Sequence, residues 1–152
     1  MKHLLAKLWR RLNLSKDFQL FIMTLTQDRF LVGVTGIFTN DQNEILLFKH
    51  VYRQIQWSLP GGYLKAKEHP TEGLEREIKE ESGLTVSADF EMETRTDREA
   101  ARIDLCYTGK FIGGSFTPSS EVREYGLFSF ENLPLIRENQ LLLLQEALKR
   151  VQ

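Results

Sequence analysis

The chain has 152 residues, 41% hydrophobic and 27% charged, with 20 Lys and Arg against 21 Asp and Glu for a net charge of −1. That length suits one domain with a single good core, and the charge balance excludes a protein built to coat nucleic acid. One cysteine, Cys106, excludes an intrachain disulfide framework and suits a reducing compartment, and three scattered histidines make no zinc spacing.

Lys2 to Leu14 has the pattern of an amphipathic helix, with Leu4, Leu5, Leu8, Trp9 and Leu12 at helical spacing and Lys2, Lys7, Arg10 and Arg11 elsewhere around the wheel. Lys7, Arg10 and Arg11 also interrupt the first apolar run, so it does not read as a signal peptide. No stretch approaches the about 18 apolar residues of a membrane span, and a cytoplasmic location is expected. A basic amphipathic helix can lie on a membrane surface or pack on protein. This one is short, with mixed polar positions, and the expectation is packing on its own domain or on a second subunit. That leaves a homodimer open and predicts no stable membrane association. The expected division is residues 1–16 as a helical extension and 17–152 as the domain.

Phe18–Thr26 is rich in apolar and β-branched residues and predicts a strand. Phe30–Phe38 and Glu44–Lys49 predict a hairpin across the polar turn Asn40-Asp41-Gln42-Asn43. His50–Gln56 reads as a loop leading to Trp57 and a turn at Leu59-Pro60-Gly61-Gly62. Pro70 and Gly83 bracket a helix, one suited to its first turn and the other to the left-handed position past its end. Thr85–Arg95 predicts one or two short strands, Thr96–Ala101 a charged loop, Ile103–Ile112 a strand and Phe116–Glu121 a loop. Tyr125–Phe130 predicts the last strand, and Glu138–Val151 a closing helix with Leu141, Leu144, Leu148 and Val151 on one face. Cys106, in an apolar run, reads as a core residue. Strands before, around and after two helices give a single α/β domain.

The helix between Pro70 and Gly83 carries the chemistry. With Leu74 at zero and about 100° per residue, Ile78 falls near 40°, Glu81 near 340°, Glu77 near 300° and Glu80 near 240°, each approximate. Leu74 and Ile78 thus form a narrow apolar stripe with three carboxylates banded beside it, Glu81 nearest the buried side and Glu80 the most peripheral. Half-buried like charges repel and hold their protons more tightly, and a hard divalent cation with oxygen ligands removes the conflict. A solvated acidic face is the alternative that the three glutamates alone leave open.

The wider spacing is more specific. Gly62, five residues, Glu68, seven residues, then Arg76-Glu77-Ile78-Lys79-Glu80-Glu81-Ser82-Gly83-Leu84 resembles the Nudix box at every specified position, and Trp57-Ser58-Leu59-Pro60-Gly61 resembles its lead-in. The resemblance implies a mixed β-sheet sandwiched between α-helices, from roughly Leu31 to the C-terminus. It implies a hydrolase of a nucleoside diphosphate derivative, with Mg²⁺ or Mn²⁺ held by Glu77, Glu80 and Glu81 and by a carbonyl of Gly61 or Gly62. Glu68 and Arg76 are implied to form the ion pair that fixes the box loop on its helix. A further carboxylate from outside the box is expected at Glu121, with Glu124 as the neighbour that could serve instead.

For substrate binding the candidates are Arg95, Arg98 and Tyr52, with Arg102 in the same cluster; Phe48 and Trp57 fit core roles better. The proline expected shortly after the box in the ADP-ribose subgroup is missing, the next being Pro118. Tyr107, the first tyrosine after the box, is too distant for the one that marks dinucleoside polyphosphate hydrolases. Lys67 stands where many members have glycine. The alternatives are a nucleoside triphosphate pyrophosphohydrolase and a non-catalytic nucleotide-binding module. The expected partner is a small nucleotide-type molecule, not a nucleic acid.

Overall fold

A computed structural model describes residues 15–98 and 100–151. The helix predicted for Lys2–Leu14 lies outside the described residues. The chain divides into two units, residues 1–30 and 31–152.

The first unit contributes helix α1, Lys16–Thr26, where the sequence predicted a strand over Phe18–Thr26. Local chemistry accounts for the difference. Ser15 caps the helix, its Oγ accepting from the Phe18 N–H at 3.3 Å, and Asp17 complements the dipole in the first turn. The β-branched residues that suggested a strand bond back within the helix. Thr24 Oγ1 donates to the Phe21 carbonyl at 2.7 Å and Thr26 Oγ1 to that of Ile22 at 3.2 Å. Apolar density alone does not separate a short helix from a strand.

The second unit is built on a mixed sheet. Its strands are β1 (Leu31–Thr39), β2 (Ile45–His50), β3 (Trp57–Ser58), β4 (Gly61–Tyr63), β5 (Leu84–Asp97), β6 (Arg102–Gly114) and β7 (Val122–Phe128). Helix α2 is Pro70–Ser82, a 3-10 turn spans Phe130–Asn132, and helix α3 is Glu138–Val151. The central path runs β3-β2-β1-β6-β5, with β4 paired to β1 and β7 to β2. β1 and β6 are parallel, in a register that sets Gly33 beside Asp104 and Thr35 beside Cys106; the other pairs are antiparallel.

Alternation along the strands makes two cores. On one face Val34, Phe38, Leu46 and Phe48 pack with Leu74 and Ile78 of α2. On the other Ile37, Ile45, Leu47 and Cys106 pack with Leu143, Leu144 and Ala147 of α3. Leu74 and Ile78 are fully buried, each contributing about 1.5–3 kcal/mol. This is the mixed sheet between helices that the resemblance implied.

The larger boundary differences lie around β4, β5 and β7. The expected turn at Leu59–Gly62 includes strand β4, whose Gly61–Tyr63 pairs with Gly33–Thr35. Thr85–Arg95 belongs to one 14-residue strand, β5, whose three register shifts let it bend without breaking. Thr96 and Asp97, expected in a loop, still pair with Ile103 and Arg102. The last strand starts at Val122, and Phe130 belongs to the 3-10 turn.

Candidate functional site

Helix α2 presents the glutamates. Pro70 opens it, and the Glu72 carboxylate accepts from the His69 N–H at 3.3 Å. Gly83 closes it at φ 73, the left-handed conformation glycine adopts without strain. Ser82 anchors the exit: its Oγ donates to the Ile78 carbonyl at 2.6 Å and accepts from the Leu84 N–H at 3.2 Å.

Arg76 organises the preceding loop. Its Nε and Nη2 donate to the two oxygens of Glu68 at 2.6 and 3.0 Å, and Nη2 also reaches the Tyr63 carbonyl at 3.3 Å. The Lys65 N–H donates to the same carboxylate at 3.0 Å. These bonds, the Arg76 side chain first, hold the Glu68 carboxyl down at about 2. The remaining arm of Arg76 contacts Glu77 and Glu80, both at 2.8 Å. Glu80 also pairs with Lys65 at 3.3 Å and is 55% exposed, against 18% for Glu77. Lys67 sits in this loop at φ 69, so the position needs the left-handed backbone that glycine supplies more cheaply.

Glu81 has no such neighbour among the described residues. It is half-buried, and among those residues its Oε2 is enclosed without a hydrogen-bond partner. Burial first, then the charges of Glu121 and Glu77, push its carboxyl up to about 7. Glu121, at the foot of β7, is held by the Tyr52 hydroxyl, which donates to Oε2 at 3.1 Å. Glu124 instead pairs with Lys49 across the sheet at 2.9 Å.

Strand β4 runs beside these carboxylates. A Cβ on Gly62 would fall 2.5 Å from the Glu77 carboxyl, so only glycine lets that side chain lie against the strand. The ladder also separates the two glycine carbonyls. Gly36 donates to Pro60 and Leu64 to Val32; alternation along an antiparallel pair then commits the Gly62 carbonyl to Val34 and turns the Gly61 carbonyl away from β1.

On the other side of β4 is a polar cleft of about 130 Å³, whose lining includes Arg53, Arg95, Arg102, Asp104 and Arg137. Arg95 is committed there: Nη2 donates to Asp104 at 2.9 Å and Nη1 to the Asn139 carbonyl at 3.1 Å. Arg98 is exposed in the β5–β6 turn and does not line the cleft. His50 is 2% exposed, with neither ring nitrogen hydrogen-bonded among the described residues. Burial first, then Arg53 and Arg137, lower it to about 4, so it stays neutral. Phe48 is core, and Trp57 packs edge-on against Phe128 with centroids 5.0 Å apart. Cys106 is buried, which raises its thiol to about 12. A larger apolar cavity of about 650 Å³ lies between the sheet and α3 and includes none of these carboxylates.

Sequence reasoning missed Arg53, Arg137 and Asp104. Asp104 left a signal, a carboxylate at the head of an apolar strand; the two arginines left none, because the fold alone brings them together. Among the described residues no three His, Cys, Asp or Glu side chains converge closely enough to hold an ion as they stand; Arg76 pairs with both Glu77 and Glu80.

A mixed sheet lies between two helices, with the Gly62-to-Leu84 loop and helix packed against it. Residues 29–149 match the family model of the NUDIX domain, and the chain belongs to that family. It is 33% identical over 109 residues to an ADP-ribose pyrophosphatase from Methanocaldococcus jannaschii, covering 68% of this chain and 64% of that enzyme. It is 29% identical over 107 residues to an 8-oxo-dGDP phosphatase from Mus musculus, covering 66% of this chain and 33% of that protein. The matches thus span under two thirds of the length of these curated relatives. The crystal structure of an ADP-ribose pyrophosphatase from Streptococcus suis superposes with a TM-score of 0.66 at 26% identity, over 80% of this chain and 93% of that one.

Proposed function

We propose that the chain is a pyrophosphohydrolase that cleaves the diphosphate linkage of a nucleoside diphosphate derivative with the help of Mg²⁺ or Mn²⁺. The observation that carries this reading is Glu81: a half-buried carboxylate whose Oε2 has no partner among the described residues, facing the charges of Glu121 and Glu77. Uncompensated like charges at one edge of a core are costly, and a hard divalent ion with oxygen ligands suits that donor set. Glu77, Glu81 and Glu121 would hold it, with Glu80 at the periphery and the Gly61 carbonyl as the neutral ligand. Such an ion neutralises phosphoryl oxygens and lowers the pKa of a bound water.

The chain's own residues supply the rest. Glu68 and Arg76 fix the loop so that Gly62 and Glu77 stay in contact. Tyr52 orients Glu121. Arg53 brings positive charge near Glu81, where phosphoryl oxygens need it. The relatives' names refer to ADP-ribose and 8-oxo-dGDP, which supports a nucleotide diphosphate without selecting one. The test is a panel of nucleoside diphosphate derivatives incubated with Mg²⁺ or Mn²⁺ and assayed for released monophosphate. Turnover that Glu81→Gln abolishes, with an unchanged circular dichroism spectrum, is the expected result. Thermal shifts across the panel without turnover would instead favour a binding module.

A further inference from the structure

The cleft across β4 has a charge imbalance of which the hydrolytic reading uses only Arg53. Among the described residues its lining holds four arginines and one carboxylate, Asp104. Asp104 is already satisfied. Thr35 Oγ1 lies 3.1 Å from each of its oxygens, and Arg95 donates at 2.9 Å. That pair cancels, which leaves Arg53, Arg102 and Arg137.

None of the three donates a hydrogen bond to a carboxylate among the described residues. Arg53 donates to the neutral Ser58 hydroxyl at 2.9 Å. Arg102 pairs only loosely with Asp97, at 3.9 Å, beyond hydrogen-bond range; the neutral Tyr63 side chain is its hydrogen-bond partner, and its Nε is buried without a partner among the described residues. Arg137 is in no ion pair among the described residues. Guanidinium groups gathered around a small concavity repel one another, and their planar donors match phosphate and carboxylate oxygens.

Size limits what can enter. A cavity of about 130 Å³ holds roughly four waters at ~30 Å³ each, well below the about 300 Å³ at the low end for whole small-molecule ligands. It fits one anionic group rather than a nucleoside. Gly33 keeps the floor open: an added Cβ would sit 3.0 Å from Asp104 Oδ1 and 3.7 Å from Arg102. The cleft also adjoins the carboxylates, because Gly62 lines it while lying against Glu77.

Resting on the pyrophosphohydrolase reading, we propose that this cleft binds an anionic group of the substrate beyond the scissile diphosphate. The preferred substrate is then a nucleoside diphosphate derivative whose other half carries a carboxylate or a phosphate. Matched pairs test it: UDP-glucuronate against UDP-glucose for the carboxylate, and ADP-ribose 1″-phosphate against ADP-ribose for the phosphate. With Mg²⁺ or Mn²⁺, kcat/KM for the charged member of at least one pair exceeds that of its neutral partner by about tenfold, the low end for a charge-assisted hydrogen bond. The pair that shows the preference identifies the anion. In Arg102→Gln and Arg137→Gln that ratio falls toward one. Arg137 is exposed, so its variant keeps the test valid even where Arg102→Gln perturbs folding.

Ratios within about twofold in the wild-type protein for both pairs overturn the proposal and leave the hydrolytic reading standing. So does equal loss on both members in the variants, which would assign these arginines to the scissile diphosphate itself. Absence of turnover on every compound removes the hydrolytic reading and this inference with it.

Discussion

Glu81→Gln should inactivate the protein and at the same time stabilise it above neutral pH. Burial, Glu121 and Glu77 raise the Glu81 carboxyl from the ordinary 4.5 to about 7. A group whose pKa is higher folded than unfolded favours the native state when protonated. The wild-type, metal-free protein therefore has its full contribution from this side chain below about 4.5, loses it as pH rises, and has lost it by pH 8. At about 1.36 kcal/mol per pH unit the loss is at most roughly 3 kcal/mol, and solvent screening of this partly exposed carboxyl brings it to about 2 kcal/mol. The neutral amide avoids it, less about 1 kcal/mol for an enclosed polar group with poor partners. The expected net gain at pH 8 is about 1 kcal/mol, or about 2–4 °C in Tm for a domain of this size, shrinking to nothing near pH 5. Thermal unfolding of both proteins between pH 5 and 8 measures this, with and without Mn²⁺. Bound cation should stabilise the wild type by occupying the same conflict and do markedly less for the variant. An identical pH profile for the two proteins, or equal stabilisation of both by Mn²⁺, would refute the reasoning.

Three further perturbations probe the parts around that carboxylate. Lys67→Gly relieves a left-handed backbone at φ 69 and should raise stability in urea unfolding by up to about 1 kcal/mol, the strain relieved less the entropy cost of glycine. Gly62→Ala puts a methyl 2.5 Å from the Glu77 carboxyl; the side chain can swing away, so the fold should survive while apparent Mn²⁺ affinity in the activity assay falls by about tenfold or more. Tyr52→Phe removes the hydroxyl that holds Glu121 and should weaken metal-dependent turnover by a similar factor, whereas Glu124→Gln, tied to Lys49 on the sheet, should leave it within about twofold.

What could be read from the sequence was what helix geometry fixes locally. Glu77, Glu80 and Glu81 share a face because of their spacing, and the wheel already ranked Glu81 as most buried and Glu80 as most peripheral. Pro70 and Gly83 marked the helix ends because their backbone limits are intrinsic. The cleft could not be read this way. Asp104 meets Gly33 only through the parallel register of β1 and β6, and Arg53 and Arg137 reach the same wall from segments 84 positions apart in the chain. Phe18–Thr26 was misread because six apolar residues in nine carry no period that a short segment can display; the deciding signal was the cap at Ser15, outside the run. At Lys67 the departure from glycine was visible, but its consequence needed the dihedral.

The charges around α2 show why Glu81 is the residue on which the site turns. Arg76 alone serves Glu68, Glu77 and Glu80, and Lys65 adds a second cation at the exposed Glu80. The box therefore has its own counter-charges on the loop side of the helix. Around the wheel, toward β7, that supply thins: among the described residues Glu81 and Glu121 face each other with a hydroxyl on Glu121 and the charge of Arg53 in support. An incoming cation gains most where compensation is poorest, so it should settle first between Glu81 and Glu121 and then compete with Arg76 for Glu77. The competition has a readable consequence. Weakening Arg76 by Arg76→Lys, which cannot make the bidentate pair with Glu68, should free Glu77 and tighten Mn²⁺ binding even as the loosened loop lowers kcat. Parallel falls in metal affinity and kcat would instead mean that Arg76 acts only by holding the loop, with no contest over Glu77.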